Sequence, residues 1–464
     1  MPRPVVIVHG YSDRGVSATK WCQALQANGY AATDIHVADY LTLTNEVTIK
    51  DIAEAFDRAV RLKANLNTTE PFDAIVHSTG MLVVRSWMTT YEKRRNRLKH
   101  LIGLAPATFG SPLAAQGRSL LGAVFKGRHQ FGPDFMEQGD LVLSQLELAS
   151  PFTWDLAHQD LLSQKTPVYG DGTDTPYAFI FIGLQNYGTI KSLITESKGT
   201  DGTVRWAGAG FNCRKIAMDL SQDPAAAEKE RIVYQPWANS NVPLVLLDDH
   251  NHGSIFGTPD AGLVSRVVDA LNVSSAEDYQ AWKAKHEQPP VLVKGQKWQQ
   301  FITHVVDERG DGVRDYYIDL FRYEGGALVE LDDEFQPDVH TNSDDPSYRC
   351  FHLELTPFLP DADNKTAIPN LWLRLIASSG TKLVAYYGFD SERVDRNGMP
   401  RNGNGKWDAV LDLTGHLTRR VDGREVTLFF PLTTTLIEIT LNREPMPLGV
   451  TNEADLLKLL APPK

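Results

Sequence analysis

The chain has 464 residues, 42% hydrophobic and 22% charged, which excludes a fibrous, disordered or disulfide-scaffold protein and leaves room for two or three globular domains. With 46 basic and 58 acidic residues the net charge is −12, so the basic stripe of a nucleic-acid binder is missing and nucleic acid is not expected as a partner. Cys22, Cys213 and Cys350 are too few and too scattered for a disulfide framework or a zinc site, and they read as buried thiols in a reducing compartment.

The chain opens Met1-Pro2-Arg3-Pro4 and enters the short apolar run Val5–Val8, too short for the core of a signal peptide. No segment reaches the roughly 18 apolar residues of a membrane span. The expected location is cytoplasmic, although a protein exported by a signal-less route would look the same.

From residue 1 to about 285, short β-branched runs alternate with amphipathic stretches, the pattern of a mostly parallel, doubly wound sheet with crossover helices. Strands are expected at Val5–Val8, Asp34–Val37, Asp73–His77, Leu98–Leu104, Ala178–Gly183 and Val242–Leu247. Helices are expected near Ser17–Gln26, Ile52–Ala64, Met81–Tyr91, Gly262–Leu271 and Ala276–His286. Residues 105–176 form an insertion too long for an ordinary crossover, either a cap or lid or a few helices that extend the core. The basic run Lys93–Arg97 reads as a solvated face between helix and strand.

Gln288-Pro289-Pro290 ends the last of these helices, which places a domain boundary there, with an α/β unit over 1–287 and a second unit over 291–464. The second unit shows eight to ten alternating runs separated by Gly, Asp, Asn and Pro turns and no helices between them, the pattern of an all-β sandwich. Glu453–Leu460 is expected to be a short terminal helix. Asp307, Asp311 and Asp315, and likewise Asp390 and Asp395, lack EF-hand spacing and read as solvated turns rather than calcium ligands. No metal and no cofactor are expected.

Ala74-Ile75-Val76-His77-Ser78-Thr79-Gly80-Met81 runs a buried strand through a serine into a helix. Both an ordinary serine cap and a nucleophile elbow fit that turn. The elbow pattern Gly-x-Ser-x-Gly has Val76 in place of its first glycine. The first strand ends in His9-Gly10-Tyr11, where a hydrolase sheet supplies an oxyanion donor; the backbone N–H groups of Tyr11 and Thr79 are the candidate pair.

Taken in order, His9-Gly10-Tyr11, His77-Ser78-Thr79-Gly80, Gly199-Thr200-Asp201-Gly202 and His252-Gly253-Ser254-Ile255 resemble the α/β-hydrolase superfamily, and in particular its lipase and esterase branch. That branch includes the minimal bacterial lipases and the lecithin:cholesterol acyltransferase and GPI inositol-deacylase relatives. Ala105-Pro106 to Ser111-Pro112 is similar to the segment that follows the strand after the elbow in such lipases. The resemblance covers residues 1 to about 285, and it implies an α/β-hydrolase with a cap, a Ser78-Asp201-His252 triad and an acyl-enzyme. Serine needs an imidazole to take its proton, and the imidazole needs a carboxylate to orient it. Asp171 and Asp174 compete for the acid role but precede the fifth strand, and His250 competes for the base.

The expected activity is hydrolysis of carboxylic esters with lipid-like acyl groups. Phe109, Phe125, Phe131, Phe135, Phe152 and Trp154 of the insertion serve either as acyl contacts or as the core of the cap. Peripheral membrane contact would run through the cap or the C-terminal unit. Acyl transfer and amide cleavage use the same triad, and a noncatalytic scaffold with a C-terminal binding module is the reading from a different class.

Overall fold

The computed structural model describes residues 2–9, 16–36, 46–62, 64, 66, 69–91, 96–114, 140–163, 167–170, 174–187, 198–221, 231–235, 242–287, 297–331, 334–359, 368–381, 384–388, 406–421 and 424–445. Tyr11, Phe125, Phe131, Phe135, Asp171, Asp390, Asp395, Glu453–Leu460 and the Gln288-Pro289-Pro290 stretch lie outside the described residues.

Six parallel strands form the first sheet, in the order β2-β1-β3-β4-β5-β8: β1 Val5–His9, β2 Ala32–His36, β3 Phe72–His77, β4 Leu98–Leu104, β5 Tyr177–Gly183 and β8 Leu244–Leu247. Helices cover both faces, which is why β1 and β3 are buried at every position and read as unbroken apolar runs. These helices are α1 Val16–Ala27, α2 Ile49–Leu62, α3 Gly80–Thr90, α4 Asp140–Leu146, α5 Pro151–Gln159, α6 Trp206–Ala209, α7 Ser254–Gly257, α8 Ala261–Leu271 and α9 Ala276–His286. At the start of α5, Ser150 accepts the Thr153 N–H and Pro151 fills the first turn.

The remaining strands are β6 Cys213–Asp219, β7 Ile232–Tyr234, β9 Trp298–Asp307, β10 Asp315–Glu324, β11 Ala327–Glu330, β12 Asp338–Thr341, β13 Tyr348–Glu354, β14 Trp372–Ser378, β15 Val384–Tyr387, β16 Lys406–Asp412, β17 Thr418–Val421, β18 Arg424–Thr427 and β19 Thr434–Pro445. An antiparallel sheet runs β11-β10-β14-β16, and a mixed sheet runs β12-β13-β9-β19-β6-β7 with β15 added to the far end of β19. Strand β14 alternates buried and half-buried residues along its length, with one face on a core. Leu320, Leu373 and Leu375 of the antiparallel sheet and Val305, Leu353 and Ile439 of the mixed sheet belong to one apolar cluster, so the two sheets share a core.

Two features depart from the sequence reading. First, the sheets do not divide where the chain divides at 288–290. Strands β6 and β7 leave the first unit and join the mixed sheet, β6 lying parallel to β19 from Cys213↔Thr434 to Asp219↔Thr440. The core around β3 and α3 likewise takes in Ile302, Tyr348, Leu432 and Leu436 from the second half of the chain. The reason is physical: Cys213-Arg214-Lys215-Ile216 is half polar, and its backbone partners lie over 200 residues away. Second, Arg97 is buried rather than solvated, its guanidinium over the Phe72 ring and its Nε donating to the Glu70 carbonyl at 2.9 Å. Cys213 and Cys350 are buried, whereas Cys22 is half-buried.

Helix α3 carries one charge in an apolar sequence, and Arg85 is fully buried. Its Nε and Nη2 donate to the two carboxylate oxygens of Asp160, each at 2.8 Å, and Nη1 donates to the Thr108 carbonyl at 2.6 Å. Tyr169 Oη and the Leu161 N–H also donate to Asp160. This fork ties α3, the chain after β4 and the end of α5 together, with every polar group answered.

Two outcomes follow from this architecture. Asp160→Ala strands a buried guanidinium and should cost about 3–5 kcal/mol in urea unfolding, while the Arg85→Met/Asp160→Leu pair recovers most of the loss. Residues 1–287 alone expose the edges of β6 and part of the shared core, so this fragment should express insolubly or without a cooperative melt by circular dichroism. A fragment that melts cooperatively would show that the first sheet stands without β19.

Candidate active site

Ser78 follows the last residue of β3 and has φ +54°, in the left-handed region where a serine is strained. Its N–H donates to Leu104 O at 3.3 Å and its own carbonyl accepts the Ala107 N–H at 3.1 Å, which pins the turn to the end of β4. Chain direction reverses into α3 at Gly80, where a Cβ would stand 2.6 Å from the Val8 carbonyl oxygen. No larger residue fits.

The valine at position 76 has a local explanation. Val76 pairs with Gly103 on β4, and a Cβ on Gly103 would lie 2.8 Å from Met81 Cε and 3.0 Å from Ile180 Cδ1. The gap that lets α3 approach the sheet is therefore supplied by the neighbouring strand, and Val76 itself packs in the core.

At the end of β8 the chain turns through His250-Asn251-His252. Asn251 Oδ1 accepts the N–H groups of Gly253 and Ser254, which starts α7 and turns the His252 ring inward. His252 Nε2 lies 3.1 Å from Ser78 Oγ, and His252 Nδ1 lies 2.9 Å from Asp201 Oδ2. The other carboxylate oxygen of Asp201 accepts the N–H groups of Thr203 at 3.0 Å and Val204 at 2.7 Å, and the Asp201 carbonyl accepts the His252 N–H at 3.0 Å. Ser78, Asp201 and His252 are all buried.

The competitors fall elsewhere. His250 Nε2 is 2.7 Å from Asp260 Oδ2, at the N-terminus of α8. Asp174 is exposed ahead of β5, at the opposite end of the sheet from Ser78. Thr79 occupies the cap position of α3, with no acceptor assigned to its N–H among the described residues. Phe109 is fully buried, and Trp154 packs edge-on against Tyr348 and His304 of the mixed sheet, so both serve the core rather than an acyl channel. Asp307 Oδ1 accepts the N–H groups of Arg309 and Asp311 and closes a turn. Among the described residues no group of three His, Cys, Asp or Glu side chains could hold a metal ion.

His77 is the residue the sequence reading passed over. Its Nε2 donates to the His252 carbonyl at 3.0 Å, and its ring stacks on Phe256 with centroids 4.7 Å apart. Burial, then the nearby His252, hold its pKa well below the ordinary value of 6.5, so it stays neutral and serves as a fixed donor. A histidine directly before the elbow serine was the available signal.

The loop bearing Asp201 is gripped from both sides. Trp206 Nε1 donates to Gly183 O at the end of β5. On the other side Arg205 donates to Asp338 Oδ2 at 2.6 Å, and Gly199, at φ +71°, nests against Trp298 and His352, whose rings stack 4.6 Å apart. A Cβ on Gly199 would lie 2.6 Å from Trp298 and 2.7 Å from His352.

A scan against protein-family models and a search of curated proteins each found no match. Among solved structures, phospholipase PlaB from Legionella pneumophila superposes with a TM-score of 0.71 at 21% identity, covering 99% of this chain and 97% of that one. Its complex with thio-NAD gives the same TM-score and identity, over 98% and 97%. Lipase BlEst2 from Bacillus licheniformis, in its mature form, is 15% identical with a TM-score of 0.38, over 59% of this chain and 93% of that one. The whole-chain likeness to PlaB shows the fold: an α/β-hydrolase sheet followed by C-terminal β sheets.

Gly199→Ala should loosen the Asp201 loop without touching Ser78. The expected result is a melting temperature lowered by several degrees, the overpacking cost being about 1–3 kcal/mol. It should be accompanied by loss of the downfield Nδ1–H proton resonance of His252, and an unchanged resonance would show that the loop holds itself.

Proposed function

We propose that this chain is a serine hydrolase of carboxylic esters with lipid-like acyl groups. The observation that carries the reading is the line Ser78 Oγ, His252, Asp201, with spacings of 3.1 and 2.9 Å, set on a strained strand-to-helix turn. In this reading His252 Nε2 takes the Ser78 proton as Oγ adds to the ester carbonyl. Asp201 keeps the imidazole oriented and stabilises its charged form, and His77 holds the backbone that carries it.

The carbonyl oxygen becomes negative as Oγ adds. The Thr79 N–H and the Tyr11 N–H, two positions past the end of β1 in sequence, are the proposed donors to it. His252 returns the proton to the leaving alcohol, and the acyl group stays on Ser78. Water, deprotonated by His252, then releases the acid and restores the serine. The fold shared with a protein named phospholipase makes a glycerophospholipid the first lipid ester to try. No helix among the described residues is long and apolar enough to cross a membrane; the contact proposed for such a substrate is a peripheral one, through the cap or the C-terminal unit.

Ser78→Ala should lose about 10⁴-fold or more in turnover of p-nitrophenyl esters, together with fluorophosphonate labelling, at an unchanged melting temperature. His252→Ala should match it, and Asp201→Asn should fall steeply, while His250→Ala keeps most activity. A chain-length series from acetate to palmitate, run beside phosphatidylcholine vesicles, separates esterase from lipase. Labelling that persists in Ser78→Ala would place the nucleophile elsewhere.

A further inference from the structure

The loops that carry Asp201 and His252 follow different strands and meet through two bonds, the His252 N–H to the Asp201 carbonyl at 3.0 Å and the His252 ring to the Asp201 carboxylate at 2.9 Å. A catalytic pair must be held to within about 0.5 Å by neighbours that are themselves locked in place. Residues 184–187, directly after β5, are such a neighbour. Their course is fixed by the loop of the base. Gly183 has no room for a side chain, because a Cβ would stand 2.2 Å from the His250 carbonyl oxygen. The Leu184 N–H donates to the Leu247 carbonyl and the Gln185 N–H to the His250 carbonyl, each at 2.9 Å. The same segment reaches the loop of the acid, where Thr200 Oγ1 donates to Asn186 Oδ1 at 3.2 Å.

Tyr187 then enters between the two loops. Gly202, directly after Asp201, has φ +96°, and a Cβ there would lie 2.7 Å from Tyr187 Cδ2. Gly253, directly after His252, has φ −79°, which any residue adopts, so the backbone does not call for glycine. What a side chain there would meet is Tyr187: a Cβ would stand 3.3 Å from its Oη and 3.6 Å from its Cε1. The acid and the base are thus each followed by a glycine whose missing side chain makes room for one ring. The Tyr187 hydroxyl faces the Thr203 side chain and the Gly253 N–H. Burial, then the Asp201 carboxylate, push its pKa above the ordinary 10, so it stays protonated.

We infer that Tyr187 is a positioning residue of the proposed hydrolysis: its ring braces the turn of Asp201 against the loop of His252 and so keeps the carboxylate on His252 Nδ1. The role rests on the reading of Ser78, Asp201 and His252 as a triad, since Tyr187 acts only through the last two. It also gives Gly202 and Gly253 one shared reason.

The test uses the full chain, with circular dichroism melts to check that each variant is folded at the temperature of measurement. The His252 Nδ1–H proton is followed through its downfield resonance and its exchange with water, a readout that needs no turnover. In Tyr187→Phe the ring stays against Gly202 and only the hydroxyl leaves; exchange should quicken about fivefold, the scale of one neutral hydrogen bond. In Tyr187→Ala the ring leaves as well, and the resonance should be lost. With p-nitrophenyl butyrate, kcat should fall about fivefold in the first variant and about fiftyfold in the second, the scale of a misplaced catalytic group. KM should stay within about twofold of the parent in both, since a group that acts through the carboxylate has no part in holding substrate. Unchanged exchange in folded Tyr187→Ala overturns the inference, and so does a loss carried by KM with kcat unchanged. Should Tyr187→Ala fail to fold, Tyr187→Phe decides alone, and unchanged exchange there overturns it. A parent chain that neither turns over esters nor takes the fluorophosphonate label would defeat the hydrolase reading instead, while proton exchange still reports on the brace.

Discussion

The close approach of α3 to the ends of β1 and β4 is the constraint on which the rest of the molecule depends. Holding Ser78 at φ +54° costs about 1–3 kcal/mol and persists only where the surroundings over-determine the turn. They do so here through contacts that admit little variation. Gly80 touches the Val8 carbonyl, Gly103 makes room for Met81, and Leu104 accepts the Ser78 N–H. Once α3 is seated, Arg85 meets the Asp160 carboxylate and the Thr108 carbonyl, which draws in α5, and α5 in turn presents Trp154 to the mixed sheet.

The second half of the chain is part of the site's support rather than an appended module. Asp201 is held by its own turn, yet that turn rests against Trp298, His352 and Asp338. The mixed sheet that carries these residues is closed by β6, which comes from the first half. Strands β9 and β13 meet the Asp201 turn through van der Waals contact of Trp298 and His352 with Gly199, and β12 meets it through the Arg205–Asp338 ion pair.

This arrangement also limits pH tolerance. His304, stacked on Tyr348 with centroids 3.8 Å apart and packed near Trp154, has its pKa lowered from 6.5 to about 4, chiefly by burial. The folded state then binds fewer protons than the unfolded chain between these two values. Stability is full above 6.5 and falls as pH drops through that window, and the loss is concentrated where α5 meets the mixed sheet.

What the sequence by itself determined is local or strictly ordered. The strands of the first sheet are apolar runs because both faces are covered, and Val5–His9, Phe72–His77 and Leu98–Leu104 lie within a residue of where their composition puts them. Ser78, Asp201 and His252 could be named because a turn serine, a glycine-flanked aspartate and a histidine after the last strand occur in the order this fold uses. That His252 rather than His250 faces Ser78 was legible in its place further into the loop after β8; Gly253 itself takes an ordinary helical φ of −79°. Tertiary structure alone decided the rest. Strand β6 carries Arg214 and Lys215, so no periodicity marks it, and its pairing with β19 depends on a register more than 200 residues apart. Arg85 announced a buried charge but not its partner. His77, Trp298, His352 and Gly199 matter only through what they touch, and contact between distant segments is a property of packing, which short-range pattern does not encode.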